Sequence, residues 1–273
     1  MSDIENIWKI ELEILDVIDT ICKDYNLKYS LAYGSLIGAV RHGGFIPWDD
    51  DIDIVMPRED YEKLILIWND VAPKEYILQN NRTDLDFTQN FTKIRRENTT
   101  FLQYEFEKNK KYHKGIFVDI FPGDRVAKGR ISCKVQYVAC AINLLYSRGF
   151  VSGSKGMVGI IEKLLLKTNK KKYHIRRRRA EKYVAKYNGI NNLKYMFPST
   201  IGCSREYYSP YLFDNMTTIE FCGKEYMVVD CVDEVLRTCY GDYMKLPQES
   251  ERIWTHHPII LDFEHSYEEL VNE

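Results

Sequence analysis

Residues 31–56, LAYGSLIGAVRHGGFIPWDDDIDIVM, place four aspartates directly beside residues that demand burial. Polar and apolar residues alternate along 51–55, a pattern typical of a β-strand because successive side chains point to opposite faces. We expect Asp49, Asp51 and Asp53 to share one face of this strand, with its isoleucines facing a core. A strand with one acidic and one apolar face is thus the first constraint on the fold.

Carboxylates held beside a core must be protonated, solvated or paired with a cation. The nearest basic residues, Arg41, His42 and Arg58, are too few to neutralise the aspartates. Alternate residues of a strand have Cα atoms about 6.5 Å apart, a separation that a divalent cation can bridge. We therefore predict a metal site, and oxygen ligands favour Mg²⁺ or Mn²⁺ over zinc. A solvated acidic turn is the alternative, whereas an EF-hand is excluded because Ile54 occupies the position of its glycine.

A Gly34-Ser35 turn precedes the acidic strand and separates a predicted strand over 27–33 from a predicted helix over 36–41. Backbone amides at such a junction can bind phosphate, helped by the Ser35 hydroxyl and the helix dipole. An ordinary turn explains the same residues, so the pattern alone does not decide.

A lone charge interrupts a second apolar segment, GIFVDIF (115–121), at Asp119. We predict a buried strand in which Asp119 is a third metal-binding carboxylate or a general base; a buried salt bridge is the alternative. Lys93 and Arg95 share one face of another predicted strand. They face either phosphate or, at a sheet edge, solvent.

Composition narrows the class of protein. With 273 residues, 45% hydrophobic residues, net charge -2 and pI near 6.3, the chain has enough apolar mass for a core and lacks the basic surplus of a dedicated nucleic-acid binder. Seven cysteines without a CxxC pair indicate free thiols, and the charged N-terminus is not a secretory signal. We expect a cytoplasmic protein. Walker, GxGxxG, HExxH and GxSxG motifs are missing from the sequence.

The middle of the chain, 131–188, is predicted to be helical and contains KKKYHIRRRR at 170–179. This basic run is either a solvated helix face or a peripheral contact with an anionic membrane. The C-terminal part is predicted to contain a hairpin over 217–229 and a helix over 232–239. His256 and His257 are adjacent, and adjacent side chains seldom face one target, so one of them is a candidate substrate contact.

Taken together, the Gly-Ser turn, the helix and the Asp-x-Asp strand resemble the DNA polymerase β-like nucleotidyltransferase superfamily. The longer string GSLIGAVRHGGFIPWDDDIDIVMPREDYEKL, with KIRRENTTF, GIFVDIFPGD and YGDYMKLP, is similar to the LicD family, which includes bacterial phosphocholine transferases and is related to fukutin and fukutin-related protein. The resemblance is dense over 25–124 and returns at 210–258. It implies an α+β fold: a small mixed β-sheet flanked by helices, with a mainly helical insertion.

The resemblance also implies roles for individual residues. Asp51, Asp53 and Asp119 would be catalytic and, with Asp49, would bind Mg²⁺ or Mn²⁺. Candidate substrate-binding residues are Gly34, Ser35, Arg41, His42, Trp48, Lys93, Arg95, Tyr243 and His256. Trp48, Tyr243 and Trp254 are candidates for a choline contact by position, since quaternary ammonium groups bind aromatic faces.

The implied activity is transfer of a phospho-alcohol, with phosphocholine first, from CDP-choline or another CDP-alcohol to a glycan or lipid-linked glycan, without nucleic acid. Two alternatives are a nucleotidyltransferase that releases pyrophosphate and a non-catalytic nucleotide-binding protein. We expect a catalytic core over 1–125, a helical region over 126–200, and a C-terminal hairpin and helices over 201–273 that complete the site.

Overall fold

The computed structural model describes residues 2–151, 153, 156–167, 169, 172–197, 208–254 and 256–272. Over these ranges the chain is an α+β protein built on a small mixed sheet flanked by helices, as predicted. The strands are β1 Ser30–Leu31, β2 Asp53–Pro57, β3 Tyr76–Gln79, β4 Thr92–Arg96, β5 Thr100–Leu102, β6 Phe117–Arg125, β7 Tyr195–Met196, β8 Met216–Phe221, β9 Lys224–Val229 and β10 Ile260–Asp262. The helices are α1 Asp3–Asp24, α2 Tyr33–His42, α3 Arg58–Val71, α4 Arg130–Arg148, α5 Met157–Leu166, α6 Tyr173–Val184, α7 Val232–Tyr240 and α8 Tyr267–Asn272.

The main sheet has the strand order β1-β2-β6-β4-β3, with β7 pairing the far end of β6. The β2–β6 pair is parallel and the other pairs are antiparallel. The parallel pair sets Asp53 directly beside Asp119 in register. Residues opposite each other on neighbouring strands point to the same face, so these two acids lie side by side.

Helices α1 and α3 bury their apolar faces against the sheet. Ile14 and Ile18 of α1 and Trp68 of α3 are fully or almost fully buried and share the main core with Ile54 and Ile120 of the central strands. The opposite face of the sheet is also apolar, since Val55 and Phe121 pack in a second cluster with residues near β7. Burial on both faces explains why β2 and β6 read as almost continuous apolar runs.

Helix predictions agree with the structure, whereas two strand predictions need correction. The predicted helix over 36–41 begins earlier, because α2 starts at Tyr33, which shortens the predicted strand over 27–33 to β1. The suggestion that Lys93 and Arg95 lie on a solvated edge strand is wrong, because β4 lies between β3 and β6 and is buried. Short strands β5 and β10 were not predicted; they pair with each other and bring the C-terminal segment onto the core.

The predicted hairpin is confirmed as β8 and β9, turning at Cys222-Gly223. Both turn residues have positive φ, 52° and 79°, as a two-residue type I′ connection requires. The predicted helical middle is confirmed as α4, α5 and α6, of which α4 and α6 pack together. The six described cysteines are free thiols; Cys203, Lys170 and Lys171 lie outside the described residues. Within the described ranges, no helix combines the length and apolar character that a bilayer crossing needs.

Candidate active site

The Gly34-Ser35 turn holds the acidic segment in place. A Cβ at Gly34 would overlap the carboxylate of Asp49, so only glycine allows this close approach. Ser35 is buried, and its hydroxyl accepts a hydrogen bond from the backbone N–H of Asp53 at 2.8 Å. Tyr33, just before the turn, has φ 46°, an uncommon value for a residue with a side chain. The Ser35 side chain thus positions the acidic strand, and its contact with donor phosphate stays a prediction.

The acidic segment is only partly a strand, which corrects the prediction. β2 begins at Asp53, and residues 49–52 are irregular. Asp49 is fixed instead by its own contacts: its N–H donates to the Ile46 carbonyl at 2.9 Å, and its carbonyl accepts from the Trp8 indole at 2.8 Å. The pairing of β2 ends at Leu31–Ile54 with β1 and at Asp53–Asp119 with β6, so it does not reach Asp49.

Asp119 lies beside Asp53 and is joined to Lys93. The Lys93 ammonium donates to both carboxylate oxygens of Asp119, at 2.7 and 2.9 Å, and both residues are buried. Burial raises the pKa of Asp119, and the attraction of Lys93 opposes that rise. The sequence left open whether Asp119 forms a buried salt bridge or belongs to the group of acids. The structure contains the salt bridge, and Asp119 also lies beside Asp53.

A further acid approaches from α1. Glu11 is 1% exposed, and among the described residues its Oε2 has no hydrogen-bond partner. Burial, followed by repulsion from Asp51, raises its pKa well above the usual value. Sequence reasoning missed Glu11, although a signal exists: it falls at helical spacing within the apolar face formed by Ile7, Ile14 and Ile18.

The aspartates of the site repel one another, and burial also disfavours their charged forms. Burial, and next the repulsion of Asp49, raise the pKa of Asp51 to about 8. Burial and then the charges of Asp51 and Asp119 raise the pKa of Asp53 well above its usual range. The pKa of Asp49 is also raised, first by burial. These carboxylates cannot all ionise at neutral pH without added positive charge.

The C-terminal segment supplies part of that charge through His256. Its Nδ1 lies 3.0 Å from Asp50 Oδ1 and 3.7 Å from Asp51 Oδ2. The hydrogen bond to Asp50, against the opposing effect of burial, raises the pKa of His256 to about 9. His257 instead packs against Trp254 in a tilted arrangement, with ring centroids 4.0 Å apart. The structure therefore brings one of the two adjacent histidines to the acids, and the predicted substrate contact of His256 stays a prediction.

Other predicted substrate-binding residues already make contacts within the protein. Arg95 is buried, and its guanidinium donates to Gln79 Oε1 and the Gly115 carbonyl, both at 2.6 Å. Arg41 donates to the Tyr243 carbonyl at 2.9 Å, and its Nε is buried without a hydrogen-bond partner among the described residues. The exposed His42 sits edge-on to Trp48, with ring centroids 6.5 Å apart.

The three predicted aromatic residues do not form one open surface. Tyr243 is buried in the main core with its hydroxyl 3.0 Å from Asp233, so it is a packing residue and we drop it from the substrate contacts. Trp48 is half-buried, with the Arg252 guanidinium 5.7 Å from its ring centre. Its face thus already attracts a cation, which is the chemistry a quaternary ammonium would need.

The fit of the acids to a divalent cation rests on donor chemistry. Among the residues that the structure describes, no three Asp, Glu, His or Cys side chains are closely enough arranged to hold a metal ion. The donors are nevertheless hard carboxylate oxygens, and two of them, Glu11 Oε2 and Asp50 Oδ2, are buried without hydrogen-bond partners in the described part of the chain. Such a set suits Mg²⁺ or Mn²⁺.

The Glu11→Gln variant should be more stable than the parent at neutral pH when no divalent cation is added. A carboxyl whose pKa is raised by folding binds its proton more tightly in the folded state, so it lowers stability as pH rises above the unfolded pKa. Glutamine removes that loss, and its advantage should grow from pH 5 to pH 7.5 in urea unfolding with EDTA. Glu13→Gln, on the same helix, should show no such trend, and an equal trend in both variants would contradict the assignment.

Comparisons with known proteins relate this chain to one protein family. Residues 26–136 match the family model described as LicD/FKTN/FKRP, nucleotidyltransferase domain. The lipopolysaccharide cholinephosphotransferase LicD of Haemophilus influenzae is 29% identical over 249 residues, covering 88% of this chain and 91% of that protein. Uncharacterised proteins of Rickettsia prowazekii and Rickettsia typhi are each 57% identical over 35 residues, 13% of this chain. The family resemblance predicted from the sequence is confirmed over residues 26–136, which match the LicD family domain.

Proposed function

We propose that this chain is an enzyme that transfers phosphocholine from CDP-choline, or another phospho-alcohol from its CDP derivative, to a hydroxyl of a glycan, with release of CMP. The observation that carries the proposal is the pairing of Asp53 with Asp119 on adjacent strands, inside a family domain whose relative in Haemophilus influenzae is a cholinephosphotransferase. Similarity to that relative over most of both chains supports the reaction class. A glycan acceptor, on a lipid carrier or free, follows from the same likeness.

In the proposed reaction the acceptor hydroxyl oxygen attacks the phosphorus that carries choline. The bond to the bridging oxygen breaks, CMP leaves with that oxygen, and the hydroxyl proton passes to a base. In this proposal Asp119 accepts or orients the proton, and its buried pair with Lys93 supports an ionised carboxylate. Asp49, Asp51, Asp53 and Asp119 would hold Mg²⁺ or Mn²⁺, which when bound would supply positive charge against the donor diphosphate.

Other residues of the protein also have roles in this proposal. Gly34 allows the Asp49 carboxylate to approach the turn, and Ser35 fixes the backbone that carries Asp53. His256 adds positive charge at Asp50 and Asp51, so the C-terminal segment contributes to the site. We accordingly keep the division into a core (1–125), a helical region (126–200) and a completing C-terminal part (201–273), and a cytoplasmic location, as predictions.

A donor screen tests the proposed function. Purified protein with Mg²⁺ and a glycan acceptor is incubated with CDP-choline, CDP-ribitol, CDP-glycerol or CTP, and CMP and pyrophosphate are measured. We expect acceptor-dependent CMP from one CDP-alcohol. Pyrophosphate from CTP would instead identify a nucleotidyltransferase. Binding of a donor without either product would identify a nucleotide-binding protein.

A further inference from the structure

Helix α5 exposes a continuous apolar face. Five of its ten residues are large, apolar and at least half exposed: Met157, Val158, Ile160, Ile161 and Leu164, at 78%, 57%, 58%, 50% and 59%. At about 100° per residue these side chains fall within an arc of about 160°. Contiguous apolar surface of this kind marks an interaction site, because isolated exposed residues are ordinary but a helix-long face is not.

The helix is held by contacts on its other sides, so the apolar arc is left outward. Backbone carbonyls of Leu165 and Leu166 accept from the hydroxyls of Tyr146 and Tyr173, at 3.1 and 2.8 Å. Glu162 pairs with Arg148 of α4. Glu162 lies outside the arc on the helical wheel, so the ion pair anchors the side opposite to Ile160.

Positive charge borders this face. Lys163 and Lys167 are exposed and, four residues apart, line one edge of the arc. The first turns of α6 adjoin the C-terminal end of α5, because Arg176 donates to the Leu165 carbonyl at 3.2 Å. That stretch of chain adds an exposed basic side chain at Lys172.

From this combination we propose that α5 lies in the surface of a bilayer containing anionic lipid, with its apolar arc among the acyl chains and the neighbouring lysines at the headgroups. A ten-residue helix is about 15 Å long, too short to span the hydrocarbon layer, but suited to lying within the interface. Charge complementarity selects anionic lipid, because long basic side chains reach headgroups while their stems stay apolar. The inference is independent of the proposed reaction.

Vesicle co-sedimentation of the full chain tests this inference. We expect the protein to sediment with vesicles of phosphatidylcholine and phosphatidylglycerol, far less with phosphatidylcholine alone, and less at high NaCl. The double variant Ile161→Glu/Leu164→Glu should lose about tenfold or more in binding. Leu66→Glu, at a residue of α3 that is 78% exposed, is the matched control and should bind like the parent.

Three outcomes would overturn the inference. They are parent protein that does not sediment with anionic vesicles, equal sedimentation with both vesicle types, and a double variant that binds like the parent. Sedimentation velocity without lipid tests whether a second copy of the chain covers α5 instead of a bilayer. A parent dimer that the double variant abolishes would assign α5 to self-association. Circular dichroism melting of each variant checks that the fold is unchanged, and none of these measurements depends on donor or acceptor.

Discussion

Replacing Asp53 with asparagine is expected to remove turnover while the protein stays folded. Asp53 is the acid at the start of β2 that lies beside Asp119 of β6, so it is central to the charge arrangement proposed to hold a cation and the donor diphosphate. Losing one such group should lower the transfer rate by about 10³-fold or more. The backbone N–H that donates to Ser35 is unaffected by the substitution, so the turn should persist.

The same variant should be at least as stable as the parent, which separates a catalytic role from a structural one. Burial and the charges of Asp51 and Asp119 raise the pKa of Asp53, so ionising it in the folded state costs free energy. That cost appears above the unfolded pKa and grows as pH rises, so the stability gain of the variant should be larger at pH 8 than at pH 5. Functional sites commonly contain interactions that lower the stability of the folded protein while they support its activity.

CMP release and urea unfolding with EDTA, measured on the same preparations, provide the two readouts. Asp70→Asn, at an exposed position near the end of α3, is the matched control and should change neither. An Asp53→Asn protein with parental turnover would remove Asp53 from the site. A variant that loses turnover and also loses stability would show that the effect comes from unfolding.

The sequence predicted much of the fold because its local signals agree with the packing. Residues 51–55 and 115–121 carry apolar residues in patterns that favour a buried strand, and most of each segment lies in the neighbouring central strands β2 and β6. The hairpin at Cys222-Gly223 was found because a short turn between two alternating segments is a local property. The short pairing of β5 with β10 was missed because residues far apart in the chain form it and neither segment has a distinctive pattern.

The candidate site was less predictable for a related reason. The aspartates could be named, since charges inside apolar strands stand out, but the partners of those charges come from distant segments. The Lys93–Asp119 pair depends on strand order, Glu11 on how α1 is docked, and the His256–Asp50 contact on a segment 206 residues away. Tyr243 was a candidate by position only and could equally have been a core residue, and the structure packs its ring in the core.

The second large effect is expected at a buried ion pair away from the acids. Arg58, at the start of α3, donates to both oxygens of Asp124 near the end of β6, at 2.9 and 2.6 Å. Asp124 is fully buried and also accepts from Asn188 at 2.6 Å, and Arg58 reaches Glu181 of α6 at 3.2 Å. The pair thus joins the sheet, α3 and the helical region.

Arg58→Leu should destabilise the protein by about 3–5 kcal/mol, because it leaves the Asp124 carboxylate buried without its cation. Urea unfolding at pH 7 measures the loss. Glu75→Gln, which breaks the half-exposed Arg96–Glu75 pair at 3.7 Å, is the matched control and should cost less than about 1 kcal/mol. A loss for Arg58→Leu no larger than that of the control would show that the pair contributes little.

The double variant Arg58→Leu/Asp124→Leu tells the cause of the loss. If the cost comes from an unpaired buried charge, removing the charge as well should recover part of the stability. If the cost comes instead from detachment of α6, which loses its contact with Arg58 in both variants, the double variant should remain as unstable as the single one. Hydrogen exchange of the α6 amides distinguishes the two causes directly. If the unpaired charge is the cause, the protection of these amides in the double variant should be close to parental. If detachment of α6 is the cause, their protection should fall in both the single and the double variant.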